Sequence, residues 1–412
     1  MKKQLSNEKL YICDMPRKEP NPSPLVEYLY IDSAETLQQF IDENQGITWM
    51  GFDTEFVGEK RFYTLLCLIQ VITDNGIYII DSIEHKNLDP FYEMVADPNI
   101  VKITHAGEND YRLLKIQGNV IPKNLFDTQI AAGFVGYNYP ISFRKLVASE
   151  LNINLGKGYT VSDWQSRPIN KKQIKYALDD IIYLKQLWEL LTNKLNEIDR
   201  YDWAIEEMKK YELEAYYQAI PHKEAFANSM IYNLRPKNQL FLIRLYQWRI
   251  EMAERKNYSK EMILPAKYIS PITRNIGSGR AALKNHRRLP NGIMGKYMDE
   301  FLGMYETEAT PEEEAVLAAI PAAEIRPTGQ ETIMEMLSLL IKIKCNQERL
   351  SNSLLIYGSG IKKMKADDQY FDEKLATGWR GKFLGEDLIT WLRNRKGLII
   401  EMQEDQCVIK MA

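Results

Sequence analysis

Three runs of sequence decide the fold: WMGFDTEF (residues 49–56), LLCLIQVIT (65–73) and GIYIID (76–81). Each is apolar and rich in strand formers, and Asp74-Asn75-Gly76 between the second and third is a strong hairpin signal. Three adjacent strands are expected. Downstream, a helical stretch around Leu88–Ala96, a short strand within NIVKITHAG (99–107), and a helix from about Glu108 to Ile116 ended by Gly118 continue the pattern. Strand and helix alternate as in an α/β layered domain. The spacing of Ile174, Ala177, Leu178, Ile181, Leu184, Leu187, Leu190 and Leu191 predicts one helix over 171–195, beginning after Arg167-Pro168.

Charged residues interrupt these apolar runs at particular places. The strand period of two puts Asp53 and Glu55 on one face, where two like charges repel unless a cation or solvent lies between them. Asp110 stands at the strand-to-helix junction ITHAGENDYRLL, and Tyr176 and Asp180 in YALDD are four apart, on one helix face. Each motif alone also fits an ordinary role: a solvated edge-strand face, a helix-start acid favoured by the dipole, or a packed tyrosine beside a surface acid. Together, Asp53, Glu55, Asp110 and Asp180 form a set of oxygens suited to two hard divalent cations, Mg²⁺ or Mn²⁺. Paired ions of that kind, about 3.5–4 Å apart, clamp the attacking and leaving oxygens of an in-line phosphoryl displacement. Tyr176, a phenol titrating near ~10, stays protonated and is placed to orient the attacking water. With four histidines in the chain, no histidine-based metal site emerges from spacing, and His105 reads as a buried, hydrogen-bonded residue.

The chain has 412 residues, 45% hydrophobic and 26% charged, a globular composition of two or three domains. Cys13, Cys67, Cys345 and Cys407 lie far apart, unlike a structural zinc site or a thiol redox motif. The first residues, MKKQLSNEKLY, lack the apolar core of a secretory signal, and no run approaches the ~20 apolar residues of a membrane span. A cytoplasmic protein with no membrane partner is expected. Net charge is −3, but Arg235 to Arg288 holds thirteen basic and three acidic residues, so that segment is +10. It includes a helix opened by Pro236 and running to about Lys256. Glu306–Thr310 with Pro311, Pro321 and Pro327 reads as a linker in which Glu312–Ile320 holds a short helix. A helical unit follows to Asn394, and 397–411 reads as a hairpin or a tail.

FDTEF, HAGENDYRLL with LFDTQIAA after it, and YALDDIIYL stand in the order and spacing of the three motifs of the DEDD exonucleases, in the subgroup with a tyrosine in the third motif. The intervening LCLIQV and SDWQSRPI resemble ribonuclease D specifically. The resemblance covers about residues 26–195. It implies a ribonuclease-H-like α/β exonuclease domain, a mixed sheet flanked by helices, that hydrolyses 3′→5′ and releases nucleoside 5′-monophosphates. Asp53, Glu55, Asp110 and Asp180 then correspond to the metal ligands and Tyr176 to the water-orienting residue. Asp127 matches a family position too, as a supporting group or a helix cap. Lys157 and Arg167 fall in the stretch before the third motif as candidate phosphate contacts, whereas Trp164 reads as packing.

LIRLYQWRIEMAERKN and LPNGIMGKYMDEFL resemble the two ends of the helicase-and-RNase-D C-terminal (HRDC) domain, a small helical nucleic-acid-binding module, and LATGWRGKFLGEDLITWL (375–392) resembles a second. The excess of basic charge supports phosphate neutralisation there, with Arg244, Arg249, Arg255 and Lys256 as candidate contacts. The expected organisation is an extension (1–25), the exonuclease domain (26–200), a helical connector (201–233), an HRDC domain (234–308), a linker (309–330) and an HRDC-like domain with a tail (331–412). No nucleotide triphosphate is implied: no P-loop sequence is present, and IGSGR (276–280) follows no apolar strand. The expected function is a monomeric exoribonuclease trimming RNA with a single-stranded 3′ end, tRNA precursors being implied by the family. A single-strand DNA exonuclease or a non-catalytic RNA-binding protein are the alternatives.

Overall fold

A single mixed sheet positions the site. In the computed structural model, which describes residues 26–156, 163–320, 328–356, 371–394, 398–403 and 406–411, its strands are β1 (Leu29–Ile31), β2 (Trp49–Val57), β3 (Leu65–Ile72), β4 (Ile77–Asp81), β5 (Val101–Thr104) and β6 (Leu125–Asp127). They lie in the order β1-β4-β3-β2-β5-β6. β2, β3 and β4 form the antiparallel meander read from the sequence, with Thr73 N–H donating to Gly76 O across the turn at 3.0 Å. The other pairings are parallel. β3 is buried at all but its end residues, which explains why its sequence is apolar on both faces, with Gln70 as the exception, instead of alternating. The expected extension (1–25), Lys157 and the later part of the linker (321–327) lie outside the described residues.

Helices cover both faces. α1 (Ala34–Glu43) starts on a Ser33–Thr36 capping box, and α2 (Asp89–Ala96) and α3 (Glu108–Gly118) join it over Phe52, Tyr78 and Phe91. α3 runs two residues past the expected Ile116, through Gly118, and ends on Asn119 in the left-handed conformation at φ 51°. α4 (Thr128–Phe134) and α5 (Phe143–Leu151) follow, and then α6 (Lys171–Asp179) and α7 (Leu184–Glu197). The single helix expected over 171–195 is thus two. Between them the ladder tightens, with Ile181 N–H donating to Leu178 O and Leu184 N–H to Ile181 O, both i to i−3 bonds. Apolar periodicity survives this turn because Ile181 and Leu184 still reach the same core.

α8 (Tyr201–Lys209) and the short α9 (Glu214–Tyr217) lead to a second unit with an apolar core of its own. It comprises α10 (Lys223–Ala227), α11 (Pro236–Lys256), α12 (Lys260–Ile263), α13 (Ala266–Asn275), α14 (Gly279–Lys284), α15 (Asn291–Glu306) and α16 (Pro311–Ala318). Phe241, Leu245, Trp248, Ile272, Leu283 and Phe301 fill its centre. Thr310 caps α16, Glu313 pairs with Arg244, and Val316 and Leu317 pack on the core. The segment 309–320, expected as linker, is therefore part of this helical unit.

The last unit has α17 (Thr328–Gln347), α18 (Asn352–Leu355), helices at Gly378–Leu384 and Glu386–Asn394, and the antiparallel pair β7 (Leu398–Gln403) and β8 (Gln406–Met411). The tail is a hairpin. Instead of forming a separate core, Ile341, Cys345, Leu354, Trp379, Phe383 and Leu388 join that of the exonuclease domain. The rings of Phe134 and Trp379 lie 4.8 Å apart edge to face, and Glu207 of α8 accepts the Trp379 indole N–H at 3.0 Å.

Candidate active site

Asp53 and Glu55 project from β2, opposite Gln70 and Leu68 of β3, and the register shifts between Glu55 and Phe56 before pairing resumes at Phe56 and Val57. Leu68 packs with Ala177 and Leu178, so this face of the sheet meets α6. Asp180 is the C-terminal cap of α6, where its N–H donates to Tyr176 O. A carboxylate there faces the negative end of the helix dipole, an unfavourable place for an anion without a cation beside it. Oxygens of Asp53, Glu55 and Asp180 all lie within 4.8 Å of one another.

Asp110 approaches from the other side of β2. It is buried in the first turn of α3, where the dipole favours an acid, and its Oδ1 accepts the hydroxyl hydrogen of Thr54, the residue between Asp53 and Glu55. Of the four expected ligands, three share one cluster and Asp110 stands beside it. Burial, joined by the charges of Asp110, Asp180 and Glu55, holds the Asp53 carboxyl well above its ordinary range. Burial and the charges of Asp180 and Asp110 raise Glu55 to about 9. Asp110 and Asp180 are each raised to about 7, chiefly by burial. Four carboxyl groups raised together make a setting in which a nearby cation would be favourable.

Tyr176 is half-buried, and its hydroxyl hydrogen-bonds to Asp180. Burial and the surrounding carboxylates push its ionisation far up, which keeps the phenol a proton donor. Buried Trp164 backs it, with ring centroids 6.2 Å apart, so Trp164 is the packing residue expected.

The turn before α3 is held by Asp127. Its carboxylate accepts from Ala106 N–H (3.1 Å), Gly107 N–H (3.0 Å), Gln129 N–H (2.8 Å) and Ile130 N–H (3.4 Å), capping α4 and fixing the approach to Asp110 together. Ala106 is in the left-handed region at φ 59°, and a Cβ on Gly107 would lie 2.5 Å from the Tyr111 hydroxyl. His105, held by Thr128 and Ile141 O, has its pKa lowered by burial and is the neutral, hydrogen-bonded histidine expected.

The substrate candidates separate. Arg167 is committed to buried Asp81, with bonds of 2.5 and 2.6 Å to its two oxygens, and to the carbonyls of Cys67 and Trp164, which removes it as a phosphate contact. Arg244 makes a two-pronged pair with Glu313 and donates to the carbonyls of Met304, Thr307 and Glu308. Arg249 is buried against Glu224, Glu261 and Leu264 O. Both tie the second unit together and are not available to RNA. Arg255 is exposed beside Met252, and Lys256 donates to the Tyr297 hydroxyl at 3.1 Å. Lys267, Arg274, Lys284, Arg287 and Arg288 are exposed. Charge counting finds a basic segment but is blind to acids elsewhere in the chain that neutralise it. Thr54 went unnoticed in the sequence because its role depends on a helix 56 residues away.

A sheet of this order, helices on both faces and acidic side chains converging from β2, α3 and α6 define a 3′→5′ exonuclease of the ribonuclease-H-like class. Residues 28–196 match the 3′-5′ exonuclease family model. Ribonuclease D of Pseudomonas paraeruginosa is 30% identical over 262 residues, covering 63% of this chain and 69% of the relative. That of Nitrobacter hamburgensis is 25% identical over 350 residues, covering 85% and 91%. The fold is similar to that of Escherichia coli RNase D, described as an exoribonuclease involved in structured RNA processing, with a TM-score of 0.77 at 21% identity over 89% of this chain and 99% of that one. The chain belongs to the ribonuclease D family and is a 3′→5′ exoribonuclease. Among the described residues no helix is long and apolar enough to cross a membrane.

Proposed function

We propose that the enzyme trims the single-stranded 3′ ends of structured RNA, tRNA precursors among them, as a cytoplasmic monomer using two divalent ions, Mg²⁺ or Mn²⁺. The observation that carries this reading is the convergence of Asp53, Glu55 and Asp180, with Asp110 beside them, in a setting that raises all four carboxyl groups. Oxygen ligands of this number suit hard cations, and these four residues would hold them. When bound, the ions supply charge for the developing phosphorane and a lowered pKa for the attacking water. Tyr176, protonated and anchored on Asp180, orients that water, and Trp164 keeps its ring in place. Thr54 and Asp127 hold Asp110 at its station.

The helical unit from about 223 to 320 serves as an HRDC-like module that holds the RNA body, and the unit from 328 onward as a second that has merged with the exonuclease core. Of the expected phosphate contacts this reading retains exposed Arg255 and half-buried Lys256, and it adds exposed Arg287 and Arg288. The β2–β3 loop joins the first module to the nuclease: Tyr63 N–H donates to Asn257 at 3.0 Å and Ser259 N–H to Lys60 O at 3.1 Å. A module tied to the strand that carries Glu55 holds RNA close to where it is cut.

The test is a product ladder from 5′-labelled RNA and the matching DNA with Mg²⁺, with Mn²⁺ and with EDTA. Metal-dependent shortening of RNA from its 3′ end, faster on tRNA-like substrates with single-stranded tails than on blunt duplex, is expected. Faster shortening of DNA would reassign the substrate, and activity surviving EDTA would remove the metal site.

A further inference from the structure

Gln70 sits in the middle of β3 with none of its surface exposed, yet neither its carboxamide oxygen nor its nitrogen has a hydrogen-bond partner among the described residues. Leaving such a group unpaired in an interior costs on the order of 1–3 kcal/mol, so a buried amide without a partner points to something that binds there. Its place in the sheet says what. Gln70 is directly opposite Asp53 in the β2–β3 ladder, and directly opposed residues put their side chains on one face with Cβ atoms about 4.5–5.5 Å apart. Two residues along β3, Leu68 packs on Ala177 and Leu178 of α6, and on the other side a Cβ at Gly51 would touch both Ile72 and Leu184 of α7. The Gln70 amide is therefore aimed between them, at the α6–α7 turn that carries Asp180. The neighbouring Leu68 and Ile72 show that an aliphatic side chain fits this face.

We propose that Gln70 is a positioning residue of the metal site, whose carboxamide engages the Asp53 carboxylate and the hydration water of a bound divalent cation. This rests on the reading of Asp53 as a metal ligand. An amide suits the role because it offers a donor to a carboxylate and an acceptor to water at once, without adding a fifth negative charge to the site. Groups that orient a ligating carboxylate typically contribute about 10–100-fold to metal affinity.

The experiment is a calorimetric Mn²⁺ titration of the full chain and of the variants Gln70→Leu and Gln70→Met, with thermal unfolding in EDTA beside it. Both variants are expected to unfold in EDTA at or above the wild-type temperature, since the unpaired amide is gone, and to bind Mn²⁺ about 10-fold or more weakly. Their turnover should fall at low Mn²⁺ and recover with excess Mn²⁺. Unchanged Mn²⁺ affinity in the folded variants would overturn the proposal. So would failure of both to fold, which would mean that Gln70 has a partner within the protein. Wild-type protein that binds no Mn²⁺, or Asp53→Asn that binds it as tightly as wild type, would instead sink the ligand reading on which the proposal stands.

Discussion

Tyr176 is poised by its surroundings and not by its own chemistry. Burial and the carboxylates nearby push its ionisation far up, so its use is as a fixed donor hydrogen-bonded to Asp180. Tyr176→Phe keeps the ring against Trp164 and removes only the hydroxyl. The expected loss is about 10²-fold in kcat, the scale of a misplaced reactant, with Mn²⁺ affinity within about twofold of wild type. Single-turnover kinetics beside a metal titration would separate the two, and an undiminished rate would exclude the hydroxyl from the reaction. Asp53, Glu55, Asp180 and Tyr176 were legible in the sequence because strand and helix periods place them. Gln70, a polar residue inside the apolar run LLCLIQVI, was not singled out, because its lack of a partner among the described residues is a three-dimensional property.

The elements themselves hold two lessons. Apolar spacing over 171–195 marked a buried face and could not mark the turn that cuts it, since i to i−3 bonds leave the face in register. Similarly, the basic character of α11 was plain while the fate of each guanidinium was not. Arg249→Met should destabilise the second unit by about 1–3 kcal/mol, because the buried carbonyl of Leu264 loses its donor while the partly exposed Glu224 and Glu261 turn to water. It should leave the salt dependence of RNA binding unaltered. Arg287→Ala with Arg288→Ala should instead lower the slope of log K against log salt by about 1.4–1.8 without loss of stability. Filter binding across a salt series and urea unfolding would distinguish these outcomes; an Arg249 variant with a reduced slope would put that side chain back on the RNA.

At the scale of the whole molecule, the carboxylate cluster is a store of repulsion. Asp110 and Asp180 titrate near 7 and Glu55 near 9 in the folded protein, whereas in the unfolded chain each lies near ~4. Between those values the folded state holds more protons, so stability falls as pH rises. The contribution is fully present below about pH 4 and is lost progressively through pH 7 to 9. In EDTA the unfolding temperature is expected to drop from pH 6 to pH 9, less steeply in Asp180→Asn, and added Mg²⁺ should raise it more at pH 9 than at pH 6. Differential scanning calorimetry across that range would show it, and equal Mg²⁺ effects at both pH values would argue against ligation by these carboxyls. The central strands and the helices at 88–96 and 108–116 were legible from apolar runs, but β1, α1, β6, α4 and α5 were not, nor was the merging of the C-terminal unit with the exonuclease core. Contacts such as Trp379 with Glu207, 172 residues apart, leave no local trace. Trp379→Ala should therefore cost about 3–5 kcal/mol and lower the unfolding temperature of the nuclease itself.

That shared core also bears on how the enzyme is made. A domain usually folds as a unit once its own residues have left the ribosome. Here the strands and helices that carry Asp53, Glu55, Asp110 and Asp180 emerge first, while Trp379 and Phe383, which close the core behind them, follow long after Asp180. The nascent chain, surrounded by ribosomal, transfer and messenger RNA, thus carries an unfinished nuclease until Trp379 and Phe383 have emerged as well.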